Sequence, residues 1–572
     1  MRTATVLMAL TLAAGCRSTP PATTPAPSQA VPPTAIPLSQ GYDLVIEGGR
    51  VVDGTGSAWF YGDLAVRGGR IVAITPPGRL RAVSATERLD ATGLVVSPGF
   101  IDIQSHSRDA LLDGDGRLVS KITQGITTEI MGEAGTNAPQ NARTGGSGGH
   151  DFTGPRGFDR WLQAMQSNGA STNFGSFVGA TTVRMYAKGM AQGPATPAEL
   201  DTMRTVVRNA MEDGAFGLGS ALIYPPANYV RTEELIELAR AMAPYGGLYI
   251  THMRSEADTW LEAIDEALRI GREGGVPVEI FHLKAGGRRN WSKAPAAIAK
   301  IDSARAAGQD VQADMYLYIA GGTGLDACLP PWAAADGKLF SNLQDPATRI
   351  RIRAEMDREQ QEWENLCQLA TPEGVLVLGL LRPETKSLAG KRLAEIAAIQ
   401  GKPWQETIMD LLLAERQRIG TIYFMMTEEN VRLQLQQPWI KFGTDAGGVD
   451  PDSTTALVHP RTYGNFTRLL GKYVREERVI PLEDAIRKAT SAVATRLSIM
   501  DRGVLRPGMW ADIVVFDPAT IADRATFEAP HQLSVGVREV FVNGVAVVRA
   551  TRPTGAKPGK TVRGPGWTGA KP

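Results

Sequence analysis

Residues 248–282 read LYITHMRSEADTWLEAIDEALRIGREGGVPVEIFH, and the alternation within them decides the fold. LYITH (248–252) is a short apolar run that ends in a histidine. The stretch after it has the spacing of an amphipathic helix, with Leu261, Ile264, Leu268 and Ile270 on one core-facing stripe. VPVEIFH (276–282) is a second apolar run ending in a histidine, and DVQADMYLY (310–318) is a third, beyond another helical stretch. Strand, helix, strand at this interval is the βα repeat of a parallel barrel, an α/β fold.

The same reading extends to both sides. GFIDIQSHS (99–107) is a buried strand running into His106, and PWIKFGTD (438–445) is another that ends in Asp445. The C-terminal ends of barrel strands converge on one axis, so His106, His252, His282 and Asp445 are brought together. Imidazoles and carboxylates gathered there make a site for a first-row metal, with zinc the natural guess. A lone histidine after an apolar strand is more often a hydrogen-bonded structural residue. Two successive strand ends that do the same thing, as at His252 and His282, favour ligation. Asp445 suits the N-cap of a helix in TDAGG, but a carboxylate beside activated water is what hydrolysis needs, and a catalytic role is preferred.

The 572-residue chain carries 61 Lys+Arg against 60 Asp+Glu, a net charge of +1, which gives no electrostatic case for nucleic acid or an anionic membrane surface. A hydrophobic content of 43% with 62 glycines is that of a globular, loop-rich protein. The three cysteines, Cys16, Cys328 and Cys367, are not expected to form a disulfide framework, and none has zinc-ribbon spacing. MRTATVLMALTLAAGCRS has one early arginine and an apolar run too short to span a bilayer, so residues 1–16 read as an export signal. Small residues before Cys16 resemble a bacterial lipoprotein cleavage box. The Pro/Thr/Ala tract within 17–41 suits a tether. The protein is therefore expected in the periplasm or at the outer membrane, with a lipid at Cys16 as its one membrane contact.

Short strands punctuated by glycine occur at 42–97 and return at 500–550, which suggests a small β-sandwich built from both termini. The barrel occupies 98–499. A segment at about 325–437 reads as a long helical insertion on the catalytic face, placed to form a lid. The tail, 551–572, is expected to wrap the surface or to be loose.

Long motifs then become specific. VVSPGFID, QGITTEIMGEAG, GAFGLGSALIYPPANY, THMRSEAD, VEIFHLKAGG, ADMYLYIAGGTGL, FGTDAGG, HPRTYG and RPGMWADIVVFDP resemble the amidohydrolase superfamily, in its branch of N-acyl-D-amino-acid deacylases, or D-aminoacylases. The resemblance implies a metal-dependent (β/α)8 TIM-like barrel with a β-sandwich made by both termini. His252 and His282 match the two single-histidine ligands, and Asp445 the aspartate that manages the proton. The bridging ligand of the family comes from the segment that reads GEAG here. Many relatives have cysteine where this chain has Ala134, which leaves Glu133 as the donor. Lys284 and Tyr316 match substrate-side positions. Arg461 matches the arginine that holds the substrate α-carboxylate, a task suited to its planar, bidentate donors.

Where the family has His-x-His, this chain has Gln104-Ser105-His106. An amide oxygen replaces an imidazole poorly, so a second metal position is expected to be impaired. One zinc held by Glu133, His252 and His282 is expected, and Gln104 is left to meet substrate or water. The implied reaction is hydrolysis of the amide bond of N-acyl-D-amino acids or related D-amino-acid amides, giving a carboxylate and a free amino acid. The alternatives are another amidase, dipeptidase or cyclic amidase of the superfamily, or a catalytically impaired lipoprotein that retains the fold.

Overall fold

Runs that are apolar at every position suit strands covered on both faces, and here they form two parallel sheets. One orders Phe100–Asp102, Ile126–Met131 and Asn173–Ser176. The other orders Val178–Gly179, Gly217–Ala221, Leu248–His252, Val278–Ile280, Val311–Met315 and Ile440–Phe442, all parallel. The computed structural model describes residue 1 and residues 41–145, 148–359 and 363–569. The predicted signal, Cys16 and the tether to residue 40 lie outside the described residues, Met1 excepted.

The two sheets approach each other at both ends. Asn173–Ser176 and Val178–Gly179 are separated by Phe177 alone. At the other end Asp445 N–H donates to the Gln104 carbonyl at 2.8 Å, and His106 N–H to that of Ala446 at 3.1 Å. Ser105 and Ala446 form a parallel bridge between them. The loops that carry His106 and Asp445 are thus fixed backbone to backbone.

The 248–282 unit shows how the sequence builds this. Tyr249 pairs with Val278 and Thr251 with Ile280, so the strands before the two histidines are neighbours. The helix between them, Trp260–Gly274, buries Ile264, Ala267, Leu268 and Ile270 and ends at Gly275 with φ of 70°. Leu261 is only half-buried. On the other side Gly217 has φ of 148°, and a Cβ there would lie 1.9 Å from the Leu248 carbonyl. Only glycine permits that close approach of the two strands.

Segments from 42–98 and from 513–553 enter one nine-stranded sheet, in which Val95–Pro98 lies between Tyr42–Val51 and Ile513–Phe516. Leu44, Ile46, Leu64, Val66, Ile513, Val515 and Phe541 pack into its core. The tail is held to the body. Pro558 bridges to Ala170 and Thr561 to Phe174, and Gly564 N–H donates to the Gly214 carbonyl at 2.8 Å.

Two expectations need correction. The segment at 325–437 is not purely helical. With Ala320–Gly324 it forms a four-stranded antiparallel sheet whose other members are Gly420–Phe424, Val375–Val377 and Lys391–Arg392. Strands of two or three residues are too short to show a period. Cys328 and Cys367, 39 positions apart, form a disulfide across the inserted segment. Spacing alone cannot reveal such a pair. Reduction, or the double change Cys328→Ser and Cys367→Ser, is expected to cost the insertion about 2–5 kcal/mol. Limited proteolysis should then cut within 325–437 while the parallel sheets resist, and an unchanged digestion pattern under reductant would count against this.

Candidate metal centre

His252 closes its strand, while His282 and Glu133 each stand two residues past the end of theirs. The three side chains meet. Glu133 Oε1 lies 3.2 Å from His252 Nδ1 and 3.3 Å from His282 Nε2. The two imidazoles pack edge to face with centroids 4.5 Å apart. One ligand atom from each of the three residues falls within 4.8 Å of the others. His282 adopts φ of 33°, in the left-handed region, and its N–H is held by Asp314 Oδ1 at 2.8 Å. Burial opposes charge on Glu133, but His282 and hydrogen bonds from His106, His252 and His282 hold its carboxyl well below the usual range. Two imidazoles and a carboxylate converging on one point are a donor set that fits zinc.

A second group shares Glu133. His106 Nε2 is 2.9 Å from Asp445 Oδ1 and 3.3 Å from Glu133 Oε2. Its side chain is 38% exposed. Burial works against its charge, but the bonds to Asp445 and Glu133 push its pKa up to about 9. Gln104 donates from Nε2 to Glu133 Oε2 at 2.5 Å, and its buried Oε1 accepts no hydrogen bond. Asp445 does not cap a helix, since the next one starts at Arg461. It has φ of 49° and faces Arg461, with Oδ2 2.7 Å from Nη1.

Beneath this group lies Lys121, fully buried. Its Nζ donates to Asp102 Oδ2 at 2.7 Å, Thr444 Oγ1 at 2.6 Å and the Ala446 carbonyl at 2.7 Å. Glu129, 3.4 Å from the same ammonium, takes the hydroxyls of Ser105 and Ser107. One cation therefore ties the loop of His106 to the loop of Asp445.

Arg461 is buried, its guanidinium 4.5 Å from the centroid of the Tyr316 ring, and it donates from Nη2 to the Gly322 carbonyl at 3.3 Å. Its backbone N–H donates to His459 Nδ1 at 3.0 Å, and His459 Nε2 bonds the Ala320 carbonyl at 2.9 Å. Burial and the Arg461 charge keep that histidine neutral. Lys284, expected against substrate, has its ammonium 2.7 Å from Glu256 Oε1 and 2.7 Å from His282 Nδ1. Sequence reasoning missed Glu256, four residues past His252. It also missed Tyr224, which packs edge-on against His252 with ring centroids 5.5 Å apart. Neither ends a strand, and the family resemblance assigned neither a role.

The sequence profile described as Amidohydrolase family matches residues 87–548. The chain belongs to the amidohydrolase family. A D-aminoacylase of Alcaligenes xylosoxydans xylosoxydans is 35% identical over 530 residues, 92% of this amidohydrolase and 98% of the relative. A D-aminoacylase structure, described by one-metal activation and second-metal attenuation of a binuclear centre, is 34% identical with a TM-score of 0.76, covering 91% of this chain and 100% of its own. An N-acyl-D-glutamate deacylase from Bordetella bronchiseptica, solved with zinc and a phosphonate mimic of the tetrahedral intermediate, is 33% identical with a TM-score of 0.76. That match covers 92% of this chain and 100% of the neighbour.

The network below the centre makes a prediction. Lys121→Met leaves Asp102 and Glu129 buried without their counter-charge. It is expected to destabilise this amidohydrolase by about 3–5 kcal/mol in urea denaturation, and a loss under 1 kcal/mol would remove Lys121 from this role.

Proposed function

We propose that this amidohydrolase hydrolyses the amide bond of N-acyl-D-amino acids, releasing a carboxylate and a free amino acid, with one tightly held zinc. The observation that carries the reading is the meeting of Glu133, His252 and His282 at one point, with Asp445 and Arg461 beside it. The names of the relatives supply the substrate class, including the D configuration. The two parallel sheets, continuous through Phe177 and the bonds at 104–106 and 444–446, are read as one (β/α)8 barrel, and the terminal sheet as its companion sandwich.

A zinc ion held by Glu133, His252 and His282 supplies Lewis acidity and makes water a nucleophile near neutral pH. Asp445 takes the proton of the attacking water and delivers it to the leaving nitrogen. Arg461 holds it ionised against the cost of burial. His106, next to Asp445 and the most open of these side chains, lies where an N–H can stabilise charge developing on the carbonyl oxygen, with Tyr316 as the second candidate. Arg461 also receives the α-carboxylate. Its buried Nε makes no hydrogen bond within the protein, so it has a donor to offer. Gln104 serves Glu133 through its amide N–H.

Export is part of the same proposal. The Cys328–Cys367 disulfide suits an oxidising compartment, and the N-terminal sequence with Cys16 suits a lipid-anchored protein of the periplasm or outer membrane. No helix among the described residues is long and apolar enough to cross a membrane.

A screen of N-acetyl-D- and N-acetyl-L-amino acids, following free amine, should show cleavage of D substrates that a chelator abolishes and zinc restores. Cleavage indifferent to chelation would sink the reading. Asp445→Asn should lower kcat by about 10²–10⁴-fold while zinc content by atomic emission stays at the wild-type value. Arg461→Ala should raise KM about tenfold or more, the worth of a charged hydrogen bond. It should leave the KM of a substrate analogue with a carboxamide in place of the α-carboxylate unchanged, while kcat falls for both substrates as Asp445 loses its counter-ion.

A further inference from the structure

A cavity of about 120 Å³ on the catalytic face has no part in the mechanism above. It lies between the loop that follows Gly217–Ala221, Arg254 beyond Leu248–His252, and the inserted segment. Leu222, Leu329, Pro331 and Leu339 give it an apolar wall. Tyr224 lines it too, and the same ring packs against His252 with centroids 5.5 Å apart, so one tyrosine separates the cavity from the ligand cluster. Two further lining residues, Trp363 and Asn228, each bury a polar atom that has no partner among the described residues, the indole Nε1 and the amide Oδ1. A buried donor and a buried acceptor are costly to leave unsatisfied, and native structures meet such groups with water or with a ligand. Glu364 also reaches the cavity, but its Oε1 is taken by the Ser255 hydroxyl and the N–H groups of Glu256 and Ala257.

We propose that this cavity is the acyl subsite, and that it takes an acyl chain of about five carbons ending in a hydrogen-bonding group such as a hydroxyl. The inference rests on the reaction proposed above and names its acyl group. An apolar cavity of about 150 Å³ holds the six carbons of benzene, which sets the length of the chain. The order of the strands sets its direction. Gly217–Ala221 and Leu248–His252 stand on the cavity side, His252 and His282 follow the second and third strands, and Val311–Met315 and Ile440–Phe442 come last. Arg461 lies against Tyr316 and Asp445, which follow those last two strands. A trans amide sends its acyl chain and its amine substituent out on opposite sides. With the α-carboxylate on Arg461 and the carbonyl at the ligand cluster, the acyl chain leaves toward Tyr224 and the cavity. Ala320–Gly324 touches both walls, since the Gly322 carbonyl bonds Arg461 and Thr323 Oγ1 bonds the Tyr224 hydroxyl at 2.7 Å. Successive strand residues rise by only about 3.4 Å, so one small substrate can reach from one wall to the other. At the far end of the chain, Trp363 Nε1–H has a hydrogen bond to give and Asn228 Oδ1 one to accept, and a hydroxyl can answer either.

The test compares one D-amino acid carrying an acetyl, a pentanoyl or a 5-hydroxypentanoyl group. For the wild type, kcat/KM should rise about tenfold or more from acetyl to pentanoyl, through burial of three further methylenes. It should rise again by about 2–10-fold from pentanoyl to 5-hydroxypentanoyl, through the hydrogen bonds at the far end. Trp363→Phe keeps a ring and removes the N–H, and should remove most of the second rise. Ala334→Phe puts a ring into the cavity from its lining, and should lower the pentanoyl-to-acetyl ratio about tenfold. Each variant is read as a ratio within one preparation, so partial loss of folded protein cancels, and the wild-type series decides the matter if neither variant folds. Equal kcat/KM for the three acyl groups overturns the inference. So does an Ala334→Phe variant whose preference shifts among amino-acid side chains at constant acetyl while its acyl preference stays that of the wild type. Cleavage of none of the three by the zinc-loaded wild type overturns the proposed reaction itself.

Discussion

A carboxylate cannot be buried among strand ends unless charge of the opposite sign is buried with it. Removing a lone ion from water costs several kcal/mol even after relaxation, and this centre contains a dense set of them. Glu133 lies 3.3 Å from His106, whose charge its neighbours favour, and accepts the Gln104 amide N–H. Glu256 is matched by Lys284, Asp445 by Arg461, and Asp102 with Glu129 by Lys121. The pairings cross between strands, so the electrostatic balance holds only if the strand register holds. Conversely, the register is stabilised by pairs that no neighbouring arrangement could form. The parallel sheets and the polar centre are one construction.

The inserted segment belongs to that construction too. Its Glu364 fixes the Ser255–Ala257 turn that carries Glu256, and the next residue, Asn365, caps the helix that holds the disulfide-bonded Cys367. The strand it pairs with, Ala320–Gly324, gives the carbonyls of Ala320 and Gly322 to His459 and Arg461, and Thr323 of that strand bonds the Tyr224 hydroxyl at 2.7 Å. An insertion that served only as a cover could be detached from the residues beneath it. This one supplies their hydrogen-bond partners, so its internal order and the position of Arg461 and Glu256 rise and fall together.

Much of this was legible in the sequence for a simple reason. Apolar runs with a polar terminus mark where a parallel strand ends to within a few residues: His252 closes its strand, and His282, Asp445 and His106 stand two, three and four residues past theirs, continuing the apolar run in the sequence. Glu133 needed the family resemblance, because nothing local separates it from a solvated loop acid. Glu256 and Lys284 were harder. Glu256 follows its strand by four residues, and its pairing with Lys284 is a relation of three-dimensional packing. Lys284, two residues after His282, was placed on the substrate side by the resemblance, and the structure adds its contacts with Glu256 and His282. Two strands of the small sheet, Val375–Val377 and Lys391–Arg392, were hidden by their brevity, and the disulfide by the distance between its cysteines.

Gln104 gains its meaning from how Glu133 divides its two oxygens. Oε1 faces His252 and His282, whereas Oε2 faces His106 and accepts the Gln104 amide N–H. A carboxylate that bridges two cations must leave lone pairs on both oxygens open to metal. A donor only 2.5 Å from Oε2 occupies the side on which a second cation would lie. A histidine at 104 would offer a lone pair there; a glutamine whose N–H is already engaged offers none. In the proposed reading this single residue tilts the centre toward one ion and turns His106 from a ligand into a partner of Asp445, free to meet the substrate carbonyl.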